Sequence, residues 1–303
     1  MKSDNNSSSS SSLNIGSKIK DYLKLIKLSL SIMVVFSSVL AYLLVPGIES
    51  KYENPLKMTI LLAIGGLLVT GSANAINQAV EKNTDAMMKR TASRPVAAGR
   101  MSVTEAWIFA IVAGAVGIFI LGYYFIWTSA GLAAFSLFLY AFIYTPLKKV
   151  NAVAVLVGAF PGALPCLIGW AAGDETLGVG GWVLFGIQFL WQFPHFWAIC
   201  WIAYKDYSHA GFKLLPSESG PTKFTALQTV IYSLLLLPMG VVPYFIGMSG
   251  TVSLFIVTAA NLLMVWQCVR LYREMEVKAA RRVMFSSYIY LPVVLFALLG
   301  DKL

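Results

Sequence analysis

Residues Ser72–Arg100 read SANAINQAVEKNTDAMMKRTASRPVAAGR, and this stretch closes a long apolar run with a sudden run of charge. At that border Asn77, Glu81 and Asp85 stand four residues apart, followed by Lys89, Arg90, Arg94 and Pro95. On a helix of 3.6 residues per turn, steps of four drift only about 40° each, so these side chains line one face over roughly 12 Å. Like charges at that spacing repel unless something positive joins them. A hard cation such as Mg2+ takes oxygen ligands, keeps several waters and shares one or two carboxylates with a substrate phosphate. Lys89, Arg90 and Arg94 supply what such a phosphate needs on its other side. Together the two groups read as a diphosphate site. The plainer alternative is a helix end whose charges sit in water.

Outward from this stretch, composition sets the class. The 303 residues are 58% hydrophobic and 12% charged, with a mean hydropathy of +0.72. Soluble domains carry about 25% charged residues, so the expectation is an all-α, polytopic membrane protein. Nine apolar segments, near 28–46, 57–80, 104–123, 126–144, 151–172, 179–203, 224–246, 251–269 and 283–300, approach the ~20 residues that span a bilayer. The long connections, 81–103, 204–223 and 270–282, then share the side of the N-terminus. So do all of the 23 Lys and Arg residues except Lys51, Lys57 and Lys302. This bias predicts a cytoplasmic N-terminus and an external C-terminus, and it accounts for the net charge of +9 with no nucleic acid as partner.

Residues 1–17, with serine throughout Ser7–Ser12, are expected to be a disordered polar tail ahead of one transmembrane domain, 18–303. The tail has neither the apolar core of a secretory signal nor the arginines of a mitochondrial presequence. The first helix is therefore expected to be retained, and a bacterial inner (plasma) membrane to be the setting.

Other polar positions fall along the same side. In Tyr144-Thr-Pro-Leu-Lys148, Pro146 is expected to end a helix and leave a hydroxyl and an ammonium facing the acidic stripe. Lys148 fits a phosphate contact or an ordinary positive-inside anchor. Gly158, Pro161, Gly162, Pro165 and Gly169 fit close helix packing or a cavity wall. His195, among aromatic residues, lies roughly 16 Å inward of Asp206 and fits a ligand contact or a satisfied core residue. Asp206 is expected to join the metal site from across the bundle. His209 reads as a surface residue, and the loop 204–223, with Gly211, Gly220 and Pro221, as a lid. Cys166, Cys200 and Cys268 lack metal spacing and read as buried small residues.

With these pieces assembled, the chain resembles the intramembrane prenyltransferases of the UbiA type, and within them the branch that farnesylates haem. The resemblance is carried by Asn74-Ala-Ile-Asn77-Gln with Glu81, Asp85 and Arg90-Thr-xx-Arg94-Pro95, by Tyr144-Thr-Pro-Leu-Lys148, by Pro161 to Trp170, and by Pro194-His195-Phe-Trp197 leading to Asp206-Tyr-xx-Ala210-Gly211. It spans about residues 20–300.

The resemblance implies nine helices around a central cavity open to the cytoplasmic side. The implied reaction joins farnesyl diphosphate to a vinyl group of haem B, with water and Mg2+, and the haem O formed would pass to a haem A synthase or an oxidase assembly partner. By position, Asn77, Glu81, Asp85 and Asp206 match metal–diphosphate residues, and Arg90, Arg94 and Lys148, beside Tyr144, match the basic diphosphate contacts. His195 is the candidate haem contact. Glu81 and Ala210 stand where the wider superfamily usually has aspartates, as in the haem branch.

Tyr124, Phe196 and Trp197 are candidates to shield an allylic cation. A quinone-type prenyltransferase is the nearer rival and a secondary transporter the further one. The acids at one border beside arginines speak against transport, whose ion sites lie near the midplane.

Overall fold

The computed structural model describes residues 15–217 and 219–303, and among them every regular element is helical. Helix α1 (Ile15–Leu25) and α2 (Leu28–Leu43) form one crossing bent by 50° at Ile26–Lys27. Eight further helices are long and apolar enough to cross a bilayer, α3 (Pro55–Val80), α5 (Val103–Tyr124), α6 (Trp127–Leu147), α7 (Val153–Asp174), α8 (Val179–Ile202), α10 (Lys223–Phe245), α11 (Thr251–Glu274) and α12 (Val277–Gly300). Two short helices, α4 (Lys82–Met87) and α9 (Tyr204–His209), lie at one border. Residues 1–14 of the expected tail lie outside the described residues, whereas 15–17 form the first turn of α1.

Local chemistry sets the helix starts. Asn54, Ser102 and Thr222 each accept a backbone N–H three residues on, at the head of α3, α5 and α10. The expected long connection 270–282 is wrong, since only Met275 and Glu276 separate α11 from α12. Its charges belong to helices that continue past the apolar stretch: Glu274 pairs with Arg270 at 2.8 Å and with Arg282 at 2.9 Å.

The most deeply buried crossing is α7, packed between α2, α6 and α8. Its small residues make that approach possible. A Cβ on Gly169 would meet the Ser38 backbone, one on Gly162 the Gln192 amide, and one on Gly158 the Tyr144 ring. Several buried amides inside the bundle find carbonyl or hydroxyl partners, as a bilayer demands. Gln188 donates to Gly162 O and Gln192 to Ala159 O, while Asn261 donates to Leu236 O and accepts from the Tyr290 hydroxyl. The three cysteines are free and buried.

The helix ends define two borders. The proximal border carries α1, residues 81–102, 148–152 and 203–222, cross-linked by Arg100–Asp21, Arg90–Tyr207 and Lys213 N–H to Lys148 O. The distal border carries the C-terminus, where Lys302 reaches Glu49. Two recesses, of about 510 and 550 Å³, open at the proximal border.

Candidate active site

Helix α3 ends at Val80, and α4 follows after Glu81 alone. The Asp85 N–H donates to Glu81 O at 2.7 Å, so the four-residue spacing survives the break and Asn77, Glu81 and Asp85 stay in series. All three are buried, Asp85 completely.

Each of these oxygen donors faces one cation. Lys27 Nζ donates to Asn77 Oδ1 at 3.1 Å, Lys148 Nζ stands 2.6 Å from Glu81 Oε1, and Arg94 donates to both Asp85 oxygens at 2.7 Å. The Asn77 amide nitrogen donates to Glu81 Oε2 at 2.7 Å, which fixes its oxygen toward Lys27. Each of the two buried carboxylates leaves the water against one cation, Lys148 at Glu81 and Arg94 at Asp85, while Lys27 meets the neutral Asn77 amide. With Arg90 at the rim the site carries more positive than negative charge, which suits a polyanion.

Helix α6 delivers Lys148 through a defect. Residues Leu139–Tyr144 form a π-helical turn, in which the Thr145 N–H reaches Tyr140 O five residues back. Thr145 Oγ1 donates to the same carbonyl at 2.8 Å. The helix thus carries Pro146 in a further turn, Thr145–Leu147, instead of ending at Tyr144 as expected. Such turns recur at functional sites because the extra residue rotates the next turn of the helix about its axis. Here Lys148 comes to lie between the Tyr144 ring, 4.9 Å away, and the Phe212 ring, 5.4 Å away. Burial lowers the Lys148 pKa from its ordinary value, against the pull of Glu81.

The loop after α9 closes over this ammonium. Phe212, Leu214 and Leu215 are buried against α7 and α8, and Arg90 donates to the Tyr207 hydroxyl at 2.9 Å with its guanidinium over the same ring. Burial, as the main cause, pushes the Tyr207 phenol up to about 12, so it remains protonated.

Asp206 does not converge with the stripe as expected. Among the described residues no three His, Cys, Asp or Glu side chains come close enough to hold a metal, and Glu81 and Asp85 are engaged by Lys148 and Arg94. Asp206 sits half-buried on α9, next to Tyr207. Nor does His195 face these acids. It stacks on Trp191 at 4.7 Å and meets Ser287 Oγ of α12 at 2.7 Å. Tyr124 lies at the distal end of α5, at the border opposite the site; Tyr140 and Tyr144, tilted against each other with ring centroids 5.3 Å apart, are the rings beside Glu81 and Lys148.

Does the donor set fit a divalent cation? Lys148 stands off the hydrogen-bond line of Glu81 Oε1, which therefore has no hydrogen-bond partner although it is buried. That oxygen, the Asn77 amide oxygen and the Asp85 carboxylate are all hard donors, and they fit Mg2+ in kind. Sequence reading missed Lys27, Tyr207 and Phe212. The signals available were a lysine directly before an apolar run, and aromatic residues within a loop.

A border-facing set of buried acids matched to lysines and arginines, in a bundle whose described residues form eight or nine crossings, is the architecture of an intramembrane prenyltransferase, and the chain belongs to the UbiA prenyltransferase family, whose model matches residues 33–290. It is similar over nearly its whole length to proteins named protoheme IX farnesyltransferase. That of Cytophaga hutchinsonii is 45% identical, covering 95% of this chain and 100% of the relative; that of Flavobacterium johnsoniae is 42% identical, covering 96% and 97%. Among solved structures, a digeranylgeranylglyceryl phosphate synthase superposes with a TM-score of 0.77 at 20% identity, covering 94% of this chain and 98% of its own. A UbiA homolog from Archaeoglobus fulgidus bound to GPP and Mg2+ gives 0.70 at 15%, covering 92% and 99%. At those identities the likeness is one of fold.

Proposed function

We propose that this chain transfers the farnesyl group of farnesyl diphosphate to a vinyl group of haem B, releasing diphosphate, with water completing a hydroxyethylfarnesyl side chain as haem O forms. The observation that carries the reading is the one-to-one matching of Asn77, Glu81 and Asp85 with Lys27, Lys148 and Arg94 at a single border. Breaking an allylic C–O bond leaves negative charge on diphosphate, and preorganised cations in a water-poor site lower that cost. When the anion enters, Arg94, Lys148 and Arg90 are the groups that turn to its oxygens, and Tyr144 backs the Lys148 ammonium. Mg2+, held by Asn77, Glu81 and Asp85, would act as Lewis acid on the leaving group. Asp206 would join these ligands only after a movement of α9.

His195 is the proposed haem contact. The Ser287 hydroxyl donates to Met284 O at 2.6 Å, so it accepts from His195 Nδ1–H, and this tautomer keeps the lone pair on Nε2. A second partner that fixes the ring in this way is what an iron ligand requires. The proximal border is the cytoplasmic one by its Lys and Arg excess, the membrane a bacterial plasma membrane, and the product's recipients a haem A synthase or oxidase assembly proteins. Residues 18–303 act as one domain.

The test is incubation of purified protein with haem B, farnesyl diphosphate and Mg2+, followed by mass analysis of the haem. A farnesylated, hydrated product is expected; haem of unchanged mass would end the proposal.

A further inference from the structure

The bend between α1 and α2 is built more carefully than a simple chain reversal needs. Lys27 sits at its apex with φ of 49°, a left-handed conformation in a residue with a side chain. Such a conformation is disfavoured for a residue with a Cβ and persists only where the surroundings over-determine it.

Those surroundings come from α3. The end of α1 leaves carbonyls without helical donors. The Asn74 amide donates to Ile26 O at 3.1 Å, and the Gln78 amide to Lys24 O at 3.0 Å and Leu25 O at 2.9 Å. Ser31 Oγ donates to Ile26 O at 2.6 Å and receives a second hydrogen bond from Asn74. Asn74 and Gln78 thus hold the bend, whereas Asn77 between them faces the other way, toward Glu81 and the Lys27 ammonium. The proximal recess of about 550 Å³ opens here, lined by Lys24, Lys27, Leu28, Ser93 and Arg94, so an anion entering from the border meets Lys27 beside Arg94.

We infer that Lys27 is a diphosphate-binding residue, presented by a left-handed bend that Asn74 and Gln78 hold in place. This rests on the function proposed above and extends its cation set to the first crossing. Lys27 is the group on Asn77 Oδ1, as Lys148 is on Glu81 and Arg94 on Asp85. A farnesyl diphosphate whose anion lies at this recess can lay its chain along the apolar start of α2.

The test uses the full-length detergent-solubilised protein and two readouts. The first is the KM for farnesyl diphosphate against kcat. The second needs no turnover: the rise in melting temperature caused by inorganic pyrophosphate with Mg2+. Lys27→Gln is expected to raise KM about tenfold, as the loss of one charged hydrogen bond does, and to lose most of the pyrophosphate-induced rise. Lys27→Arg is expected to recover part of both. Asn74→Leu, which keeps the ammonium but removes the brace, should lose pyrophosphate stabilisation as Lys27→Gln does. If Lys27→Gln keeps the wild-type pyrophosphate response while Asp85→Asn loses it, Lys27 is a structural residue and the inference fails with the active-site reading intact. If pyrophosphate does not stabilise the wild-type protein at all, both fail together.

Discussion

The two borders of the molecule use the same residue types to opposite ends. At the distal border Lys302 Nζ donates to Leu43 O, Val45 O and Glu49, and Lys51 pairs with Glu175 at 3.0 Å. Their carboxylates face water: the Glu49 and Glu175 side chains are 71% and 59% exposed. At the proximal border the Glu81 and Asp85 side chains are 6% and 1% exposed, with Lys148 at 9% and Arg94 at 17%. Exposed pairs contribute little and tie chain ends together. Buried pairs cost desolvation that hydrophobic packing would have avoided, so their retention needs a reason other than stability. Burial, not the presence of an ion pair, separates a clasp from a binding site.

The largest break in this comparison is Asp85→Asn. It preserves shape but leaves the Arg94 guanidinium facing a neutral amide, and farnesyl transfer should fall about a thousandfold, as when a preorganised charged group is removed. The protein should still be recovered in the membrane. Turnover within tenfold of wild type would mean that the proximal pairs are only buried clasps.

Lys148→Met comes next, with a loss of about a hundredfold, and pH sharpens it. Burial lowers the Lys148 pKa below the ordinary 10.5. As pH rises through that lowered value the ammonium is lost and activity should fall. Because the unfolded chain still binds the proton there, stability should rise over the same interval, up to the ordinary value. Activity and stability moving together on the alkaline side would contradict the assignment. Lys148→Arg, which stays charged, should flatten the alkaline limb of the activity profile.

A smaller effect is expected away from both borders. His195→Ala should weaken haem binding, followed by the Soret band, about tenfold, and Ser287→Ala less, since it removes only the partner that sets the tautomer. An unchanged titration in both variants would leave His195 as packing between α8 and α12.

Much of the proximal site was legible because it is local in sequence. Spacing put Asn77, Glu81 and Asp85 on one face, and the structure keeps them there across the break at Glu81. Arg94 is only nine residues from Asp85. Lys148 was legible as a candidate but not its burial, which depends on the π-turn and on Phe212. Lys27 was not legible as a site residue, because its role depends on a left-handed bend braced from a helix that begins 28 positions later in the chain. The connection 270–282 misled for the opposite reason: charge there marks helix that has left the apolar layer, not loop. Asp206, on α9, forms no three-acid cluster with Glu81 and Asp85 among the described residues, and its sequence position alone does not reveal that separation.

The smallest expected effect sharpens the comparison from the distal side. The hydrogen bond from Lys302 holds the Glu49 carboxyl below its ordinary 4.5, so its stabilisation is present above that value and fades as pH falls through the lowered one. With the carboxylate mostly in water, that contribution is at most about 0.5 kcal/mol. Glu49→Ala should therefore shift the melting temperature by about a degree or two at neutral pH, the difference vanishing in acid, and leave farnesyl transfer unchanged, because Lys302 still donates to Leu43 O and Val45 O. A loss of turnover in this variant would mean that the two borders are coupled through the bundle, and that burial alone does not separate their roles.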